Sequence, residues 1–433
     1  MGGGALGVTQ PGTAGDPNAG TQSLAISVPD DFYAVRVGFL CHYGSEAFEV
    51  PLIKACASTG FNDGMNPIGG GAWVRLTAAM AGADVDRVVL APDAPAALPM
   101  PAIVRDPATG RSDIPQLVWS DWTALPSAPP DAEGWRWCFI RQVIPAGYGF
   151  SYVMGNFDGL LDGSAGNRGN GYCLRPANCA LADYVTDAHT TADQPPMNPE
   201  LASIYHWWAG SPIAIVQFMT VHDGITIMNV GDSHHSGLAT TGDANTAVFQ
   251  AASSLGRTLV GTLPVGIVNA AWPGANAQMF FGSATRLLPA VRPSIVVLPG
   301  WTFNEPDASG LLATPAANGA FSAQLLQFAD LCLQHGAVPI YTTPYPRDPE
   351  CMSDATRLAA WRALRQTILG MRESGSIVVD TTPVLSAADD DGSLLGTYKP
   401  GLSDDSVHPN DAGQAVVAGV LRPALEQAML LAA

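Results

Sequence analysis

Basic residues are scarce in this chain: 20 Lys and Arg stand against 38 Asp and Glu, giving a formal net charge of −18 and a pI near 4.6. Clustered Lys and Arg are what hold phosphate backbones and anionic membrane surfaces, so this balance argues against nucleic acid and acidic lipid as partners. No apolar run reaches the roughly 20 residues that a membrane-spanning helix requires, so no membrane span is expected. The start Met1-Gly2-Gly3-Gly4 shows no basic region leading into a hydrophobic stretch. No signal peptide is therefore expected in this sequence, and localisation stays open between the cytoplasm and a secreted or periplasmic form. Cysteine is sparse too, seven in all, with no Cys-x-x-Cys pair. Cys173 and Cys179 are the candidate local disulfide. There is no Walker loop, no Gly-x-Gly-x-x-Gly after a strand, and no Gly-x-Ser-x-Gly elbow, since Gly149-Phe150-Ser151-Tyr152-Val153 lacks the final glycine. Nucleotide-driven and dinucleotide-dependent chemistry thus have no motif to rest on, and no cofactor is expected.

What is present is length and apolar content: 433 residues, 47% of them hydrophobic, enough for two cores. The first 27 residues, rich in Gly, Ala, Thr and Pro at their start, read as a disordered tail. From 28 to 219, short alternating segments such as Tyr33 to Leu40, Ala72 to Thr77 and Trp135 to Ile140 are broken by Gly, Pro and Asp. That pattern predicts a β-rich accessory domain, a sandwich of jelly-roll type. Its many aromatics, among them Trp119, Trp122, Trp135, Trp137, Tyr148, Tyr152, Tyr205, Trp207 and Trp208, suit either a core or a ligand-binding face. The Gly- and Asn-rich stretch from Gly155 to Pro195 is a candidate for shaping access to a cleft.

From 220 onward the pattern becomes βα. Strands are expected over Ile225 to Val230, Val265 to Ala270, Ser294 to Leu298, Ala337 to Tyr341 and Ser376 to Asp380, with helices over about 321–334, 353–373 and 411–431. Such alternation predicts a flavodoxin-like three-layer α/β/α domain with a parallel sheet over 220–433 and chemistry at the carboxyl ends of the strands. Two short segments fit that placement. Val230-Gly231-Asp232-Ser233 follows the first strand, and Asp405-Ser406-Val407-His408-Pro409 precedes the last helix, about 175 residues later. A carboxylate three residues before a histidine can accept the Nδ1 proton, leaving Nε2 free to take the proton of the Ser233 hydroxyl. Asp232 is read as a hydrogen-bonding support of the turn, and Ser233 itself as a possible helix N-cap if it is not a nucleophile. His234 and His235 line a cleft or, as a minor alternative, bind a metal; no third ligand stands at a recognisable spacing.

Gly-Asp-Ser after an early strand with Asp-x-x-His-Pro before a last helix resembles the SGNH hydrolases, the GDSL-type esterases and lipases, over about residues 221–433. The resemblance implies catalysis by Ser233, His408 and Asp405. It also implies an oxyanion hole made by the Ser233 amide, the Gly274 amide after Ala271-Trp272-Pro273, and the Asn304 side chain. The third block departs from the family's Gly-x-Asn-Asp, reading Gly300-Trp301-Thr302-Phe303-Asn304-Glu305. The implied activity is hydrolysis of carboxylic esters, short acyl or acetyl, on a small molecule, carbohydrate or polymer, without metal or cofactor. An acyltransferase using the same residues and a non-catalytic glycan-binding protein are the alternatives. Activity is expected to fall where His408 takes a proton, around pH 6 to 7 by the ordinary histidine value. Asp389-Asp390-Asp391 reads as a solvated loop, with calcium as a minor alternative.

Overall fold

The computed structural model describes residues 5–7, 20–90 and 116–154 with short breaks, 171–174, and 213–432 apart from 242–244, 259–264, 272–274, 276 and 305–314. The chain divides into two compact units, the first ending at Gly224 and the second containing Ile225 to Ala433.

In the first unit the alternating segments form antiparallel strands. Gly20–Val28, Arg136–Ile144, Ile53–Ser58, Val74–Leu76 and Gly171–Leu174 make one five-stranded sheet, and Phe32–Cys41 pairs with Gln116–Trp119, Thr123–Ala124 and Ile213–Thr220 in another. Period-2 alternation sends one face of each inward. Ile26, Val28, Ile53, Ala55, Cys138 and Ile140 from the first sheet share a buried cluster with Val35, Val37 and Val216 from the second. Gly20–Val28 corrects the expectation of a tail through residue 27. Its nine residues pair in full with Arg136–Ile144, so the alternation of Leu24, Ile26 and Val28 outweighs the Gly- and Pro-rich composition just before it. Trp137 is buried with Cys56 and Phe139, whereas Trp122 is exposed. Cys179 and most of the stretch from Gly155 to Pro195, with Tyr148, Tyr205, Trp207 and Trp208, lie outside the described residues.

The second unit is α/β. Its strands β1 (Ile225–Asn229), β2 (Val265–Asn269), β3 (Ile295–Pro299), β4 (Val338–Thr342) and β5 (Ile377–Val379) form a parallel sheet in the order β2-β1-β3-β4-β5. The connecting helices are α1 (Ser233–Ser236), α2 (Ala247–Thr258), α3 (Ala277–Val291), α4 (Pro315–Gln334), α5 (Ala355–Gly370) and α6 (Asp411–Ala432). Parallel strands covered on both faces read as continuous apolar runs, and Ile295–Pro299 is buried at every position. One face, with Ile227, Ile295, Val297 and Ile340, packs on Val248, Ala251 and Leu255 of α2 and Val417, Leu421 and Leu425 of α6. On the other, the Tyr341 hydroxyl donates to the Leu325 carbonyl of α4, and Phe281 of α3 meets Phe328 of α4 at 4.8 Å between ring centroids.

The helix expected over 353–373 is two pieces, preceded by a separate short helix. Asp348 caps Pro349–Met352, Asp354 caps α5, and a 3-10 turn follows over Met371–Ser374. Two carboxylate caps six residues apart start two helices, not one. The Asp389 run is the exposed turn of a hairpin, Ser386–Ala388 with Leu394–Tyr398, which the sequence reading did not foresee. By length and composition alone α6 is apolar enough to cross a membrane. Its Val417, Leu421, Leu425 and Ala428 stripe is instead buried in the α/β core.

Candidate active site

The sheet order puts β1 between β2 and β3, the point where successive connections leave in opposite directions and a crevice opens at the carboxyl ends. Val230-Gly231-Asp232-Ser233 follows β1 at that point. Gly231 has φ 147°, and a Cβ there would lie 2.8 Å from His235 Cγ and 2.9 Å from His235 Cβ. The turn needs glycine because the His235 ring folds back over it. Replacing Gly231 by alanine is expected to cost about 2 kcal/mol or more through strain and displacement of His235, read as a lowered denaturant midpoint. An unchanged midpoint would contradict that packing.

Asp232, not Ser233, caps α1: Asp232 Oδ1 accepts from the His234 N–H at 3.0 Å, and Ser233 is the first helical residue. Asp232 is buried and holds three more groups. The Thr302 hydroxyl donates to Oδ2 at 2.6 Å, His234 Nδ1 lies 3.1 Å from Oδ1, and His235 Nδ1 stands off at 3.6 Å. Burial pushes this carboxyl up, but the charge and hydrogen bonds of His234, with His235 close by, outweigh it and hold Asp232 well below the usual carboxylate range.

The second segment is a turn built around Asp405. Its Oδ1 accepts from the N–H groups of Val407 at 2.8 Å and His408 at 2.7 Å, while Oδ2 faces His408 Nδ1 at 2.6 Å. One oxygen folds the backbone and the other orients the ring, which is why the carboxylate sits three residues before the histidine. Ser406 takes φ 64° inside this turn, a left-handed conformation that the surrounding bonds hold against a cost of about 1–2 kcal/mol. His408 Nε2 then reaches Ser233 Oγ at 3.0 Å. Burial raises the Asp405 carboxyl, but the His408 ring and the two amides bring it far below its ordinary range. For His408 the largest influence is burial, which lowers it; Asp405 pulls it back up and the neighbouring His234 lowers it again, for a net direction downward.

Asn304 lies in the loop after β3, partly buried, its Nδ2 donating to the Ala275 carbonyl at 3.1 Å. An amide nitrogen carries two hydrogens, so one remains for a further acceptor. Gly274 and Glu305 lie outside the described residues. Three residues that the sequence reading passed over support the site. Thr302 ties the β3 loop to Asp232. Asn229 donates to the His235 carbonyl at 2.8 Å and to Asn269 Oδ1 at 3.0 Å. Gln414 of α6 donates to the His234 carbonyl at 2.8 Å and accepts from the Ala247 N–H at 3.0 Å. No single-residue signal marks them; they are visible only once the loops are packed. Among the described residues no group of three metal-ligating side chains converges.

No family model matches the chain, and no curated protein does either. Solved structures match over about half its length. A lipolytic protein of the G-D-S-L family from Desulfitobacterium hafniense is 16% identical, covering 46% of this chain and 99% of that one with a TM-score of 0.34. A GDSL-like lipase from Bacteroides thetaiotaomicron is 14% identical over 47% and 88% with a TM-score of 0.35. A variant of an acetyl xylan esterase from Geobacillus stearothermophilus is 18% identical over 48% and 97%, also with a TM-score of 0.35. About half of this chain thus resembles GDSL-type, or SGNH, lipolytic proteins and esterases.

Proposed function

We propose that the protein is a serine esterase in which Ser233 is the nucleophile, His408 its base and Asp405 the acid that orients the base. The observation that carries the reading is the unbroken chain of short contacts, 2.6 Å from Asp405 to His408 and 3.0 Å from His408 to Ser233, placed at the crevice of a parallel sheet. In this mechanism His408 Nε2 takes the Ser233 proton as Oγ bonds to the ester carbonyl carbon. The Ser233 amide, the Gly274 amide and the second Asn304 amide hydrogen hold the oxyanion. As the tetrahedral species collapses, the C–O bond to the alcohol breaks and the alcohol leaves with the proton from His408. A water deprotonated by the same histidine then releases the acid from Ser233. The second unit from Ile225 is the catalytic domain in this reading, flavodoxin-like and of SGNH type, and the first unit, with Gly20–Val28 in its sheet, is a β-sandwich accessory domain.

The substrate class is a carboxylic ester with a short acyl or acetyl group, on a small molecule, a carbohydrate or a polymer. The test is hydrolysis of p-nitrophenyl esters of increasing acyl length, together with labelling by a fluorophosphonate located by mass spectrometry. Turnover with one label on Ser233 is the expected result; the absence of both turnover and label overturns the reading.

The pH dependence follows in sign. His408 works as the neutral ring, and its protonation is shifted downward. The neutral form therefore persists to lower pH than for an ordinary histidine. The acid limb of kcat/KM should lie below pH 6.5, the ordinary histidine value on which the sequence expectation rests. A limb at or above that value would contradict the burial of this ring.

A further inference from the structure

His234 immediately follows the nucleophile, and nothing in the proposed chemistry uses it. It is buried, and both its ring nitrogens face acceptors: Nδ1 is 3.1 Å from the Asp232 carboxylate and Nε2 is 2.9 Å from the Val407 carbonyl. A carbonyl oxygen only accepts, so Nε2 carries a hydrogen. Asp232 Oδ1 already accepts from the His234 N–H and Oδ2 from the Thr302 hydroxyl, the pattern of an ionised carboxylate, so Nδ1 donates as well. Val407 is the residue next to the base, and its carbonyl also accepts from the Tyr398 hydroxyl at 3.0 Å. The turn that contains it is held in a conformation with Ser406 at φ 64°. The His234 and His408 rings lie 5.4 Å apart between centroids.

We propose that His234 is a positioning residue, with a hydrogen on both ring nitrogens, which bridges the nucleophile turn to the base turn and so sets the 3.0 Å reach from His408 to Ser233. This rests on the esterase reading above. Sequence spacing alone does not suggest it, because the two turns are about 175 residues apart. The ionisable groups in contact with His234 among the described residues are Asp232, His408 and, after β4, Tyr345, with His235 and Asp405 one step away, on Asp232 and His408 respectively, and Tyr398 sharing the Val407 carbonyl. The Tyr345 ring meets His234 edge-on at 5.2 Å.

The experiment compares His234→Leu and His234→Gln with wild type on one p-nitrophenyl ester across pH. Leucine removes both donors; glutamine restores an N–H to the Val407 carbonyl without the charge. For His234→Leu, kcat should fall about 10- to 100-fold, the scale of an ångström's misplacement of a reacting group. KM should stay within about 3-fold, and the acid limb should move up by at least about half a pH unit as the neighbouring charge disappears. His234→Gln should recover most of kcat while its acid limb stays at the raised position. A leucine variant with wild-type kcat and an unmoved limb would overturn the proposal, as would a glutamine variant that recovers nothing. Should His234→Leu fail to fold, nitrogen-15 spectra of the histidine side chains in the wild-type protein decide, assigned by the signals missing in His234→Gln. Two ring N–H signals for His234 near neutral pH are expected, and a single one refutes the bridge. That measurement needs no turnover, so a wild type inert to esters would sink the esterase reading and leave the bridge to be judged by the spectra.

Discussion

Replacing Ser233 by alanine is expected to lower kcat for ester hydrolysis by a factor on the order of 10⁴–10⁶, with KM and thermal stability close to wild type. The size follows from what the change removes. The hydroxyl is the group that His408 reaches, at 3.0 Å, and in the proposed mechanism it is the oxygen on which the acyl-enzyme forms. The small effect on stability follows from what stays. The Ser233 carbonyl still accepts from the Ser236 hydroxyl at 3.1 Å, the Asp232 cap and its bonds are untouched, and α1 keeps its start. Steady-state rates with a p-nitrophenyl ester, beside a thermal melt of the same preparation, check both halves. Residual activity within tenfold of wild type would mean that another nucleophile works there, and the role given to His408 would go with it. The parallel loss of fluorophosphonate labelling separates a missing nucleophile from a poorly bound ester.

Much of this site is legible in the chain because short-range chemistry writes it there. Asp405 stands three residues before His408 because one carboxylate oxygen must reach two backbone N–H groups while the other meets Nδ1, and only a tight turn does both. The β-branched run Ile225 to Val230 announces a buried parallel strand, and the Gly231 that follows is required by the packing of His235. The strands of the second unit were therefore placed to within a residue or so at most ends. What the sequence conceals is contact between distant loops. Thr302, Gln414 and Tyr398 are ordinary polar residues with no periodicity to betray them, yet each bonds to the nucleophile turn or the base turn across 70 to 180 residues or, for Tyr398, from the hairpin beside it. The strand Gly20–Val28 was missed for a different reason. Its neighbours' glycine and proline content set the local average, while pairing with Arg136–Ile144 decides its conformation. Adjacent histidines suggest a cleft wall first and a metal second, and both do line a pocket with Trp301, Thr302 and Tyr345; their bonding partners, Asp232 and the Val407 carbonyl for His234 and the Thr342 hydroxyl for His235, come only with the fold.

Asp232→Ala is expected to destabilise the second unit by about 3–5 kcal/mol, the cost of leaving a buried charge without its partner. For a unit of this size that corresponds to a drop of about 6–20 °C in Tm. The carboxylate accepts from the Thr302 hydroxyl, the His234 backbone N–H and the His234 ring, and alanine leaves all three donors buried and unmet. The sign with pH follows from the depressed Asp232. Its unfolded value is near 3.9 and its folded value lies well below, so its stabilisation is full above the unfolded value and is lost only as pH falls through the folded one. Wild type and variant should therefore differ by a constant amount near neutrality and converge in strong acid. A melt of Asp232→Ala within 2 °C of wild type at pH 7 would show that the site relaxes without its carboxylate. The Asp232→Ala, His234→Leu double variant sharpens the point, because it removes the ring charge along with its partner. Its loss should be smaller than the sum of the two single losses, since each single variant strands one buried ion and the double strands neither. Strict additivity would mean that Asp232 and His234 are neighbours that do not interact, and the charged bridge between the two turns would fall with the pair.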